Sequence, residues 1–246
     1  MPKSYSELLP SVERRLSAWI SLLDKRPSTE PQRPRPTITI SRRFGCEAFP
    51  LCERLKVLLD EATGECWNIF DKALLERVSQ DEHLSMDLLE NLGGPSRAAD
   101  AIGSLFSGYV SHDAAFRCLA RHVVLIAEAG NAIIVGRGGA IITQGLPNCY
   151  HFRLDASVKF CVAATVRRLE VSEKEAAEML REYDTKREGF IEDCLHASVR
   201  DIGHYHAIFN RDRSDIDQIA HSIVAFVASS WEDKSHFRAG VFASGV

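Results

Sequence analysis

Between Ser4 and Leu23, apolar residues recur at helical spacing (Leu8, Leu9, Val12, Leu16, Ile20, Leu23), with Glu13, Arg14 and Arg15 among them. This predicts an amphipathic helix. Arg26 to Pro36 carries four prolines and reads as an extended linker. The helix is either a docking or dimerisation element on a semi-rigid tether or a segment folded back on its own domain. A β-branched apolar run then begins at Thr37 and stops abruptly at Ser41, where a basic loop with Gly45 takes over. Helical apolar spacing resumes over Leu51 to Leu59.

Further on, apolar runs predict strands at Cys66 to Phe70, Asn131 to Gly136, Asn148 to Leu154 and Tyr205 to Asn210. Helical patterns lie between them: Lys72 to Val78, about Asp113 to Ala129, Ala156 to Leu169, a helix opened by the capping box Ser172–Glu175 and running toward Leu195, and Ile216 to Val227. A polar segment with Gly93, Gly94, Pro95, Gly103 and Gly108 reads as an insertion that holds a second substrate or as a loop. Strands alternating with helices predict an α/β, three-layer domain: a mostly parallel sheet of about five strands with helices on both faces. The expected division is 1–36 for the N-terminal helix and linker, 37–228 for the α/β domain and 229–246 for a tail.

Ligands of such sheets bind at the carboxyl ends of the strands. Ser41 to Gly45, Asp71, Gly136 to Gly139 and Asn210 to Arg213 all fall there. A buried strand, a loop and a helix N-terminus in succession make a phosphate site, because loop amides and the helix dipole both face the anion.

Composition narrows the function classes. The hydrophobic fraction of 45% and charged fraction of 26% are those of an ordinary globular protein, and a net charge of −4 argues against a nucleic-acid partner. No apolar run reaches membrane-spanning length and no signal pattern opens the chain, so no membrane partner is expected and the cytoplasm is the expected compartment. The seven cysteines (Cys46, Cys52, Cys66, Cys118, Cys149, Cys161, Cys194) form no C-x-x-C pair, which argues against zinc and a disulfide framework. Cys46, in the loop, is the candidate for an exposed, reactive thiol. His196, His204 and His206 lie close together without the spacing of a zinc motif, and no metal site is expected from them.

Six segments in this order resemble the cytidylate kinase-like branch of the P-loop nucleoside monophosphate kinases: Ile38 to Gly45 (ITISRRFG), Ile69 to Leu75 (IFDKALL), Ile134 to Gly138 (IVGRG), Pro147 to Arg153 (PNCYHFR), Asp184 to Arg187 (DTKR) and Ala207 to Arg213 (AIFNRDR). The resemblance implies a P-loop NTPase-like fold and transfer of the ATP γ-phosphate to a pyrimidine nucleoside monophosphate or similar small acceptor, with ATP and Mg2+ as cofactors. It implies that Ser41, Arg42, Arg43 and Gly45 cradle the donor phosphates and that Asn210 and Arg213 border the donor base. It implies acceptor contacts from Asp71, Arg137 and Arg181, and a closing helix carrying Asp184 and Arg187. Arg181, Asp184 and Arg187 are three apart and share a helix face; they also read as ordinary surface pairs, and Asp71 also reads as a helix cap. A packing role explains Arg137 poorly, since it follows a buried strand in a Gly-Arg-Gly-Gly turn.

The loop departs from the family pattern. A working P-loop reads G-x-x-x-x-G-K-S/T. Here the stretch is Gly45-Cys-Glu-Ala-Phe-Pro50: it has no lysine and no adjacent Ser or Thr, Glu47 brings a carboxylate, Phe49 adds bulk and Pro50 lacks an amide N–H. Glycine follows Arg137 where the better-known cytidylate kinases have aspartate. The alternative expectation is therefore a catalytically inactive kinase-fold protein that binds nucleotide or anion and acts through an oligomer or a protein partner at the N-terminal helix.

Overall fold

In the computed structural model, the residues described are 35–79 and 114–237, together with Ser11, Val12, Arg14, Leu16 and Ser17. Most of the N-terminal helix and linker, the Gly93–Gly108 insertion and the end of the C-terminal tail lie outside them.

Five strands form one parallel sheet: β1 (Thr37–Arg42), β2 (Asn68–Phe70), β3 (Ala132–Val135), β4 (Cys149–Asp155) and β5 (Ala207–Asn210), in the order β2-β3-β1-β4-β5. The connecting helices are α1 (Ala48–Thr63), α2 (Lys72–Ser79), α3 (Ala114–Ala129), the single turn α4 (Gly139–Ile142), α5 (Val158–Leu169), α6 (Glu173–Leu195) and α7 (Ile216–Ser230). This is a three-layer α/β architecture, a parallel sheet with helices on both faces.

Alternation along the central strands sorts side chains to two cores. Ile38 and Ile40 of β1, Ile133 and Val135 of β3, and Phe152 and Leu154 of β4 meet Leu51, Leu55 and Leu59 of α1 and Ile219, Ile223 and Val227 of α7. On the other face Ile134 meets Leu74, Leu75, Val123, Leu125, Ile191 and Leu195, and Leu16 is buried in the same cluster. That second face also carries polar groups, and each finds a partner as burial demands. Thr37 Oγ1 donates to the carbonyl of Ala127 (2.8 Å), and Thr39 Oγ1 lies 2.9 Å from His151 Nδ1.

Helix ends follow local signals. The capping box at Ser172 opens α6, and a second at Asp215 opens α7. α1 begins earlier than the apolar spacing predicts, at Ala48, because Pro50 is tolerated in a first turn where no intrahelical N–H bond is needed. Among the described residues, no helix is long and apolar enough to cross a membrane.

Candidate active site

β1 and β3 are neighbours whose chains leave the sheet toward different elements, and a cavity of about 750 Å³ opens at their carboxyl ends. Its wall takes Ser41 to Phe49 from the loop after β1, Asp71, Lys72 and Glu76 from the end of β2 and α2, and Gly136 to Ile141 after β3. Tyr183, Lys186, Arg187 and Phe190 of α6 complete it. Six cationic side chains (Arg42, Arg43, Lys72, Arg137, Lys186, Arg187) and three carboxylates (Glu47, Asp71, Glu76) border this space. Its charge suits an anion.

Arg137 stands in three successive left-handed residues, Gly136 (φ 73°), Arg137 (φ 51°) and Gly138 (φ 71°). This turn swings the chain out of β3 and directly into α4. A Cβ at Gly136 would meet the Arg42 guanidinium at 2.1 Å, so glycine is what lets Arg42 lie flat against the turn. The Arg137 side chain is 18% exposed, pairs with Glu76 at 2.9 Å and lies over the Phe190 ring, 5.1 Å from its centroid. Burial pushes its pKa below the ordinary arginine value, and the charge of Glu76 opposes that shift.

Asp184 ties the loop to α6. It accepts from the Phe44 amide (3.0 Å), from Arg43 Nε (3.0 Å) and from Arg187 (3.1 Å), while Phe44 stacks on Tyr183 at 4.6 Å. Burial pulls the Arg43 pKa down, but its bond to Asp184 and that carboxylate's charge outweigh this and hold it above the ordinary value. Arg187 goes the other way, pushed down chiefly by burial. Arg43 also donates to the carbonyl of Ala156 at 3.1 Å.

Glu47 occupies the N-cap of α1 in a left-handed conformation (φ 54°), with no side-chain cap bond. Its carboxylate instead receives Arg167 (2.8 Å) and Arg211 (2.7 Å). Burial raises its pKa, yet the two guanidinium groups outweigh that and hold it below the usual carboxylate range. The Ala48 and Phe49 amides open the helix, and Pro50 has none.

Of the residues singled out from the sequence, Ser41, Arg42, Arg43, Gly45, Asp71, Arg137 and Arg187 line the cavity. Asp184 stands behind it and holds Arg43 and Arg187. Asp71 also caps α2, accepting from the Leu74 amide at 3.0 Å. Arg181, Asn210 and Arg213 are exposed and are not brought to the cavity wall. The Asn210 side chain accepts from the Asp212 amide instead. The expectation for Cys46 is corrected: it is 1% exposed under the loop, and the exposed thiol is Cys66. Sequence reading passed over Glu76, Phe190, Lys186 and Arg211. Glu76 carried only a helix-surface signal, and Lys186 sat within the DTKR segment without being distinguished from Asp184 and Arg187. Arg211, 8% exposed and over the Phe160 ring, sat within the AIFNRDR segment but was not distinguished from its neighbours.

A parallel sheet whose first strand feeds a loop and a helix N-terminus, beside an arginine-bearing turn, defines a kinase-type phosphate-binding fold. The profile of the Cytidylate kinase-like family matches residues 37–213, and the chain belongs to that family. No curated protein matches it. An uncharacterized protein from Eubacterium ventriosum ATCC 27560 shares the fold, with a TM-score of 0.62 at 17% identity over 79% of this chain and 99% of that one. A shikimate kinase from Bacteroides thetaiotaomicron aligns with a TM-score of 0.41 at 15% identity, covering 79% of this chain and 97% of that one. A shikimate kinase from Acinetobacter baumannii in complex with shikimate has a TM-score of 0.41 at 13% identity, covering 81% and 96%.

Proposed function

We propose that the cavity binds a nucleoside monophosphate, or a phosphate ester of that size, with its phosphate at Arg137, and that the protein acts by binding without moving phosphate from ATP. The placement of Arg137 carries this reading. Holding a non-glycine residue in left-handed backbone costs on the order of 1 kcal/mol, and this turn aims a half-buried guanidinium into a cationic cavity at a strand end. A guanidinium fork meets two phosphate oxygens at once. The pyrimidine preference rests on the family resemblance.

The donor side does not fit Mg-ATP. No lysine stands in the loop, and the Phe44 amide and Arg43 are taken by Asp184. Glu47 places a carboxylate at the very helix end that would face a triphosphate. Two of the loop's anion-binding donors, the Phe44 amide and Arg43, are thus engaged by Asp184.

A second reading is phosphoryl transfer from Mg-ATP to that monophosphate, as the family resemblance implies. It is favoured by Lys186 and Arg187, which α6 sets on the cavity wall, where cations offset the charge of a transferring phosphoryl group. Calorimetry with CMP, dCMP and inorganic phosphate, alongside product analysis with Mg-ATP, separates the two. The expected result is monophosphate binding that Arg137→Ala abolishes, with no ADP formed. Acceptor-dependent ADP that disappears in Arg137→Ala establishes the second reading, and no binding by any monophosphate overturns both.

A further inference from the structure

Two thiols meet where the loop after β1 rests on α5. The sulfurs of Cys46 and Cys161 are 3.7 Å apart, although the residues stand 115 positions apart in the chain. Neither is on the outer surface, but Cys46 forms part of the cavity wall. The main chain builds this contact. Gly45, at φ +81°, lies so close on α5 that a Cβ there would come within 2.6 Å of the Cys161 carbonyl oxygen. Backbone contact on both sides, and not one side-chain rotamer, therefore holds the sulfurs together.

We propose that Cys46 and Cys161 are a reversible dithiol–disulfide pair that pins the loop to α5 when oxidised. Among the other described cysteines, Cys66 is exposed, and Cys52 and Cys149 are buried in the cores.

The surroundings of the two sulfurs differ. Cys161 lies in the first turns of α5, near the positive end of the helix, with Arg43 close by. The hydrogen bond from Cys46 and the charge of Arg43 push the Cys161 thiol down, against burial and the nearby carboxylates. Its bond to Cys161 and burial push Cys46 up. With hydrogen peroxide as oxidant, one sulfur of the pair, as its thiolate, takes one peroxide oxygen, becomes a sulfenic acid and releases hydroxide, which leaves as water. The other sulfur then attacks the sulfenic sulfur, forms the S–S bond and expels a second water. Two thiols and one peroxide yield one disulfide and two waters, and a dithiol reductant reverses the bond.

The test treats the folded full chain with hydrogen peroxide, alkylates remaining thiols after unfolding, and maps the products by mass spectrometry. The expected product is a Cys46–Cys161 linked peptide that dithiothreitol abolishes. It is absent in Cys46→Ser and in Cys161→Ser and retained in Cys66→Ser. Full alkylation of Cys46 and Cys161 after a dose that oxidises Cys66 overturns the proposal. So does conversion of either to sulfinic or sulfonic acid, or pairing with a different cysteine. The wild-type map alone decides the matter if a serine variant fails to fold, and it does so whatever ligand the cavity takes.

Discussion

Asp184 accepts a 3.0 Å hydrogen bond from the main-chain amide of Phe44, joining the middle of α6 to the loop at the end of β1. A carboxylate thus stands where an amide of a phosphate loop would meet a phosphate oxygen. The same group neutralises Arg43 and Arg187. Removing it takes a carboxylate from the deeply placed Arg187 and leaves Arg43 with the Ala156 carbonyl and the more distant Asp155. We expect Asp184→Ala to cost about 3 kcal/mol in urea unfolding. Arg187→Ala is expected to cost less in that background than in the wild type, because the pair is already broken.

Arg137 separates binding from folding. Its left-handed backbone suits glycine better than arginine, so Arg137→Gly relieves backbone strain while losing a pairing with the half-exposed Glu76. The variant is expected to melt within about 1 kcal/mol of the wild type. Its affinity for CMP, read by calorimetry, is expected to fall at least about tenfold with the charged bidentate contact gone.

Gly45 is a packing requirement. Gly45→Ala sets a Cβ against the main chain of Cys161 and forces alanine into φ +81°, and neither neighbour is a flexible side-chain tip. A loss of about 2–3 kcal/mol is expected. Gly145→Ala, with nothing within 4 Å of its new methyl, is the control and is expected to change stability by no more than about 0.5 kcal/mol. Chemical denaturation of both variants checks this.

His151 sets an acid limit. Burial first, then the charges of His206 and His204, lower its pKa from 6.5 to about 4. Between those values the unfolded chain takes up a proton that the folded chain refuses. The stabilising contribution is therefore complete above pH 6.5 and is lost as pH falls toward 4, by about 3 kcal/mol in all. His151→Gln is expected to flatten that part of a stability–pH profile measured by urea unfolding.

Much of the architecture was legible in the chain. Strand and helix order followed from hydrophobic period, because a strand buried on both faces must be a continuous apolar run and a helix on a sheet must show one apolar stripe. The capping box at Ser172 and the glycines around Arg137 were equally local signals, and they marked the start of α6 and an arginine held at a strand end.

The partnerships were not legible. Glu47 with Arg167 and Arg211, Asp184 with Arg43, and Cys46 with Cys161 each join residues more than a hundred positions apart. Such contacts depend on which strands lie side by side, and the period of a strand says nothing of its neighbours in a parallel sheet. For the same reason Arg181, Asn210 and Arg213, expected at the site from the family resemblance, stand away from the cavity, while Glu76 and Phe190 looked ordinary and flank Arg137. Local sequence set the parts and their order through backbone propensity and apolar period. The strand order β2-β3-β1-β4-β5, a matter of long-range packing, chose which charges meet at the loop.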